Sequence, residues 1–211
     1  MVGVVVGAVV VFATVQPIKV LPRIRVGPGY ALTDQHGRPY TSEVARGQVT
    51  VYSFAPIGCG NPCEDTFATL RDARDRAARE VDLDGTELRF VTIALADDPT
   101  PEELATAAEA SGADGTGWRW IGGDGDAVRA VVGAGFRRYV DRADDGTMTV
   151  DGGVVVVDGR GVVRADNRYR TISEDDDKLV RQLRLLGEEL RNAHGAGAAA
   201  YEAAHLFMCY G

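Results

Sequence analysis

The chain has 211 residues, of which 45% are hydrophobic and 26% charged, and acid exceeds base by eight charges. That composition excludes an intrinsically disordered chain and gives ample length for one buried core of ordinary size. The negative balance offers no phosphate-neutralising surface and excludes nucleic acid as a partner class.

Residues 1–15, MVGVVVGAVVVFATV, carry no charge and are nearly all apolar. A membrane-crossing helix wants about 20 such residues, and the run reaches that length only by extending to Leu21. Residues 1–21 read as a membrane anchor or uncleaved signal segment; a buried valine-rich strand is the alternative. The first cations, Lys19, Arg23 and Arg25, follow the run instead of preceding it. Residues 22–28, in a stretch with three prolines, read as a linker before a domain at 29–193.

Within that domain GYALTDQHGRPYTSEVARGQ predicts two short strands around a turn at Asp34–Gly37. QVTVYSFA is an apolar run of buried-strand length that stops at Pro56. From Pro62, the spacing of Phe67, Leu70, Ala73, Ala77 and Val81 predicts a helix. ELRFVTIAL (87–95) predicts a second buried strand, and TPEELATAAEASG (100–112) a helix with Thr100 as its cap and Gly112 as its stop. GDAVRAVVGAGF predicts a short helix, and the Asp-rich stretch 141–147 a polar loop. GGVVVVDGRGVVRAD (152–166) predicts a hairpin turning at Asp158–Gly161. Asp175–Asn192 predicts a helix with Leu179, Leu183, Leu186 and Leu190 on one face. Strands alternating with helices, then a late hairpin and a closing helix, predict a thioredoxin-like three-layer α/β fold with a mixed central sheet and flanking helices.

Two of the three cysteines, Cys59 and Cys63, fall where the strand ending at Pro56 hands over to a helix. A helix N-terminus favours a thiolate, and spacing by four sets both sulfurs on one face of the first turn. Such a pair suits reversible disulfide exchange or soft-sulfur ligation of Cu(I). A purely structural bridge is the third reading, though a loop this small adds little stability.

With its CxxxC pair in SFAPIGCGNPCED, the chain resembles the SCO/SenC family of membrane-attached, thioredoxin-fold copper proteins. ALTDQHGRPYTSEVARGQ, IALADDPTPEEL and WRWIGGDGDAVRAVVGAGF resemble, in order, the family's opening segment, its D-P strand end and its tryptophan-to-helix segment. Together these cover about residues 29–190. The resemblance implies copper as cargo, Cys59 and Cys63 as working residues and copper ligands, and a cytochrome oxidase copper-binding subunit or another thiol protein as partner. It also implies a soluble domain on the extracytoplasmic side of a membrane. The family's third ligand, a histidine in a D-H-S loop before the late hairpin, has no counterpart: TVDGGVVVVD keeps Asp151 but sets Gly152 where the imidazole would stand. Cu(II) wants that nitrogen, whereas thiol–disulfide exchange needs only the cysteines.

Two readings compete. A peroxiredoxin-like or general thiol–disulfide oxidoreductase would use Arg137 or Arg138 as a distant cation. A degenerate, non-catalytic binding module would keep the fold and tolerate loss of both thiols. The tail 194–211 predicts a helix on which Tyr201, His205 and Cys209 recur every four residues, beside Met208. That stripe is either packing against the domain or a metal-ligating pair, His205 and Cys209, folded back to replace the missing imidazole. Cys209 could instead act as a resolving thiol. His36 reads as a solvated turn residue, and His194 as a helix-end residue.

Overall fold

The computed structural model describes residues 18–144, 147–168 and 176–208. Residues 1–17, with the apolar run 1–15, and Cys209 lie outside the described residues, so the anchor reading meets the described chain only at 18–21 and the Cys209 readings not at all. Among the described residues no helix is long and apolar enough to cross a membrane.

In chain order the elements are β1 (Arg25–Val26), β2 (Ala31–Asp34), β3 (Pro39–Thr41), β4 (Val49–Pro56), α1 (Asn61–Glu80), β5 (Leu88–Leu95), α2 (Pro101–Ser111) and β6 (Trp118–Gly122). There follow α3 (Gly125–Arg129), continued by a π-helical turn (Ala130–Gly135), then β7 (Val140–Arg142), β8 (Met148–Val150), β9 (Val154–Val157), β10 (Val162–Asn167), α4 (Asp176–Asn192) and α5 (Ala196–Met208). Eight strands form one sheet in the order β1-β10-β9-β4-β5-β6-β2-β3, while β7 and β8 pair separately. β4, β5 and β6 run parallel, and the flanking strands are antiparallel.

Strand alternation builds a core on each face of the sheet. Val49, Val51, Ala55, Phe90, Ala94, Trp118 and Trp120 point to one side, where Phe67, Leu70, Ala73 and Ala77 of α1, Leu104 of α2 and Leu179, Leu183 and Leu186 of α4 close over them. Tyr52, Phe54, Val91, Ile93 and Ile121 point to the other, under Val128, Val131, Val132, Phe136 and Met148. Because the parallel strands are covered on both faces, β4 and β5 read as mostly apolar runs without strict alternation. Inside the sheet Trp118 Nε1 donates to Thr92 Oγ1 at 2.9 Å, and Thr92 Oγ1 lies 2.8 Å from Ser53 Oγ. This is the thioredoxin-like three-layer fold expected.

Local signals carried through well in α2. Thr100 and Glu103 form a reciprocal capping box, and Gly112 ends the helix at φ 80°, a conformation that L side chains rarely adopt. Three expectations are corrected. β6 had no place in the expected order, yet it is the third parallel strand, with Trp118, Trp120 and Ile121 buried. The polar loop expected at 141–147 loses Asp141 and Arg142 to β7, whose pairing with β8 lowers Met148 onto the second core. Residues 22–28 are no free connector, because Arg25–Val26 pairs with Val162–Val163 and the preceding Leu21 is buried.

Candidate functional site

β4 delivers the chain to the cysteines. After Pro56 the loop turns through Gly58 at φ 70° and Gly60 at φ 53°, and Cys59 stands between them. A Cβ at either glycine would meet nothing within 4 Å, so these positions need glycine for their backbone angles and not for space. α1 then starts at Asn61 with Pro62 in its first turn, and no side chain caps that turn. Cys63 N donates to Gly60 O at 3.0 Å. Cys59 and Cys63 are joined as a disulfide, with Cα atoms 5.9 Å apart. Both are half-buried against the core under α1.

Beside the bridge lies a cleft of about 410 Å³ between the start of α1 and the outer face of α2. Phe67, Ala107 and Trp120 supply apolar walls, and Glu64, Glu102 and Glu103 supply carboxylates. Trp120 is locked by donating its Nε1 hydrogen to Ser111 Oγ at 2.9 Å. Cys59 lines this cleft and Cys63 does not. The cleft escaped the sequence reading because its walls come from α1, α2 and β6. The alternation in Trp118-Arg119-Trp120 was the one local signal that β6 would present a tryptophan on that side.

The loop at Asp151–Gly153 occupies the same end of the sheet. β9 pairs with β4 through Val155 and Tyr52, so the residues preceding Val154 run out alongside the exit of β4 towards the cysteines. Asp151 Oδ1 accepts the Tyr139 N–H at 2.8 Å, and the carbonyl of Gly152 is 3.5 Å from Arg138 Nη1. Gly152 is exposed, and a Cβ there would meet nothing within 4 Å. Gly153 differs: at φ 139° its Cβ would lie 2.3 Å from Asn167 O. Among the described residues no group of three or more His, Cys, Asp or Glu side chains could hold a metal ion. A pair of sulfurs suits Cu(I), whereas Cu(II) wants a nitrogen ligand as well.

The other candidate residues sit elsewhere. Arg137 is exposed at φ 58°. Arg138 is buried on the far face of the sheet, over the Phe54 ring at 5.4 Å and bonded to Asp166 Oδ1 at 2.8 Å. His36 is an exposed turn residue, and exposed His194 has its Nε2 3.4 Å from Asp84 Oδ2. His205 is buried on α5, its Nε2 3.0 Å from Glu189 Oε1. Glu189 Oε2 and Asp158 Oδ2 both accept from Arg164, at 2.6 and 3.0 Å. Asp158 belongs to the β9–β10 turn, next to the residues that enter β4, so His205 and the cysteines lie at opposite ends of the sheet. They are separated by roughly the length of α1, whose 20 residues span about 30 Å. The structure does not bring His205 to the disulfide.

A description of the SCO1/SenC family matches residues 19–186. The chain belongs to the SCO1/SenC family. A SCO1/SenC family lipoprotein from Bacillus anthracis is similar in structure at a TM-score of 0.67 and 20% identity, over 77% of this chain and 95% of that one. Arabidopsis thaliana ScoI with copper bound is similar at 0.63 and 17%, over 79% and 98%. BsSco, a Sco-family cytochrome c oxidase assembly protein described with a disulfide switch, is similar at 0.65 and 15%, over 81% and 97%. No curated protein sequence matches the chain. At these identities the likeness establishes the fold, and this SCO1/SenC chain's own site must be read from its own residues.

Proposed function

We propose that this SCO1/SenC chain serves in assembly of the copper centre of cytochrome oxidase, by thiol–disulfide exchange at Cys59–Cys63 and by carrying Cu(I) as cargo between the same sulfurs. The observation that carries the reading is the Cys59–Cys63 bridge set at the uncapped start of α1 with one sulfur open to a cleft. In the exchange, a partner thiolate attacks Cys59 Sγ, the bridge breaks, and Cys63 leaves as a thiolate favoured by the helix N-terminus. A second partner thiolate then attacks the partner sulfur of the mixed disulfide and releases Cys59. The partner dithiol becomes a disulfide and this chain a dithiol, two electrons having moved; the reverse sequence oxidises the chain. The resulting dithiol is the soft pair that accepts Cu(I). The copper-bound Arabidopsis relative and the assembly role of BsSco support the assignment.

The apolar run 1–15 would hold the domain at a membrane on its extracytoplasmic side, a reading supported by its hydropathy and by the lipoprotein relative. A peroxiredoxin role is less well supported, because Arg138, its buried candidate cation, belongs to the opposite face of the sheet. The test is anaerobic loading of the reduced full-length chain with Cu(I), followed by metal analysis. One copper per chain, lost in both Cys59→Ser and Cys63→Ser, is expected. Copper retained by either variant would exclude the two-sulfur site.

A further inference from the structure

The cleft beside Cys59 has a chemical character that the exchange reaction does not require. Its apolar walls, Phe67, Ala107 and Trp120, lie next to three carboxylates, and among the described residues no Lys or Arg lines it. Glu64 is paired with Arg71 at 2.5 Å. Glu102 and Glu103 have no cationic partner among the described residues, and Glu103 accepts hydrogen bonds only from Thr100. The dipole of α2 offsets part of their charge, since both sit in its first turn, but no cation among the described lining residues does so. Ala110 and Thr106 continue an exposed, small-residue edge along α2.

We infer that this cleft seats the thiol-bearing segment of the partner protein, a short extended peptide with an apolar residue beside its cysteine and Lys or Arg in its flanks. The inference rests on the exchange reading of Cys59–Cys63 and adds to it the face approached and the charge of the partner segment. The apolar residue enters against Trp120 and Phe67, the flanking cations meet Glu102 and Glu103, and the peptide cysteine is left facing Cys59 Sγ. Approach from this side explains why Cys59 and not Cys63 is the sulfur attacked. Charge complementarity acts mainly on the rate of encounter and falls with added salt.

The experiment uses the full chain carrying Cys63→Ser, so that Cys59 is the one thiol of the pair. Three peptides of equal length are prepared with the same central cysteine and adjacent leucine but lysine, glutamine or glutamate flanks. Each cysteine is activated as its mixed disulfide with thionitrobenzoate. Cys59 thiolate attacks the peptide sulfur and one thionitrobenzoate anion leaves, so the absorbance gives the rate and peptide mapping assigns the product to Cys59. The lysine peptide is expected to react about tenfold faster than the glutamate peptide at low salt, with the ratio shrinking at high salt. Glu102→Lys should abolish the ratio. Ala110→Trp, at an exposed cleft position, should slow all three peptides but leave the reaction of activated free cysteine unchanged. Equal rates at Cys59 for all three peptides, or a ratio untouched by Glu102→Lys, would overturn the docking inference while leaving exchange standing. No reaction at Cys59 with any probe, activated free cysteine included, would overturn both.

Discussion

Cys59 and Cys63 are bridged across the first turn of α1 with Cα atoms 5.9 Å apart, yet only Cys59 faces the cleft. The asymmetry follows from the backbone. Gly58 and Gly60 hold Cys59 outside the helix in a loop, while Cys63 is already the third helical residue. After reduction, alkylation should label the accessible Cys59 before Cys63, read by peptide mapping. The reverse order would remove Cys59 from its proposed role as the attacked sulfur.

Gly152 offers a direct test of the missing nitrogen donor. Its side chain would project into open space without backbone strain, at the end of the sheet where the cysteines sit. Gly152→His should add a nitrogen donor and produce a Cu(II)–thiolate absorption band that the parent chain lacks. Gly153→His makes the contrast, because a Cβ there collides with Asn167 O. That variant should be destabilised by several times RT, on the order of 2 kcal/mol or more. A Gly152→His protein with no new band would break the correspondence between TVDGG and a copper-ligand loop.

The positions where the sequence was legible share a cause, and so do those where it was not. Thr100 and Gly112 bound α2 through contacts within three or four residues, and the cysteine pair announces itself by spacing alone. β6 is five residues long, with Arg119 second, Gly117 before it and Gly122 at its end, too short for periodicity to separate from a loop. β7 exposes Asp141 and Arg142 because it pairs outside the main sheet, so it reads as polar loop. The cleft and the seat of α5 arise from residues far apart in the chain, such as Arg164 with Glu189, and have no local signature.

The loop 151–153 is braced from beneath by a buried charge cluster. Asp166 accepts from Arg138 at 2.8 Å and from Arg25 at 2.9 Å. Burial alone would raise the Asp166 carboxyl, but hydrogen bonds from Arg168 and Arg25 and the charge of Arg138 outweigh it and hold the group below the usual carboxylate range. A carboxyl depressed in the folded state contributes stability above its unfolded value, and that contribution is lost as pH falls through the folded one. Asp166→Asn should therefore cost about 3 kcal/mol near neutral pH. Its deficit should narrow below about pH 4, measured by denaturant titration at several pH values. A deficit independent of pH would mean that packing, not charge, is what the carboxylate supplies.

His205 docks α5 through Glu189, far from the disulfide. Removing it leaves Glu189 bonded to Arg164 but strips one buried hydrogen bond, so His205→Ala should destabilise the protein by about 1–3 kcal/mol. Alkylation rates at Cys59 and Cu(I) stoichiometry should stay unchanged. Mild oxidation should give the Cys59–Cys63 bridge alone, with no crosslink to Cys209. A changed Cu(I) stoichiometry, or a Cys209 crosslink, would make the tail part of the site.

On the proposed function, Cys59–Cys63 is a working couple and not a staple. A bridge closing so small a loop constrains the unfolded chain by only about 2 kcal/mol, so the fold should survive its loss. The deciding measurement is an equilibrium redox titration of the full chain in defined dithiol–disulfide buffers, with the cysteine state read by alkylation and mass and the fold read by circular dichroism. One reversible two-electron transition assigned to Cys59 and Cys63 is expected, with the circular dichroism signal unchanged across it. A bridge that resists reduction until the protein unfolds, or a domain that unfolds as the bridge opens, would contradict it.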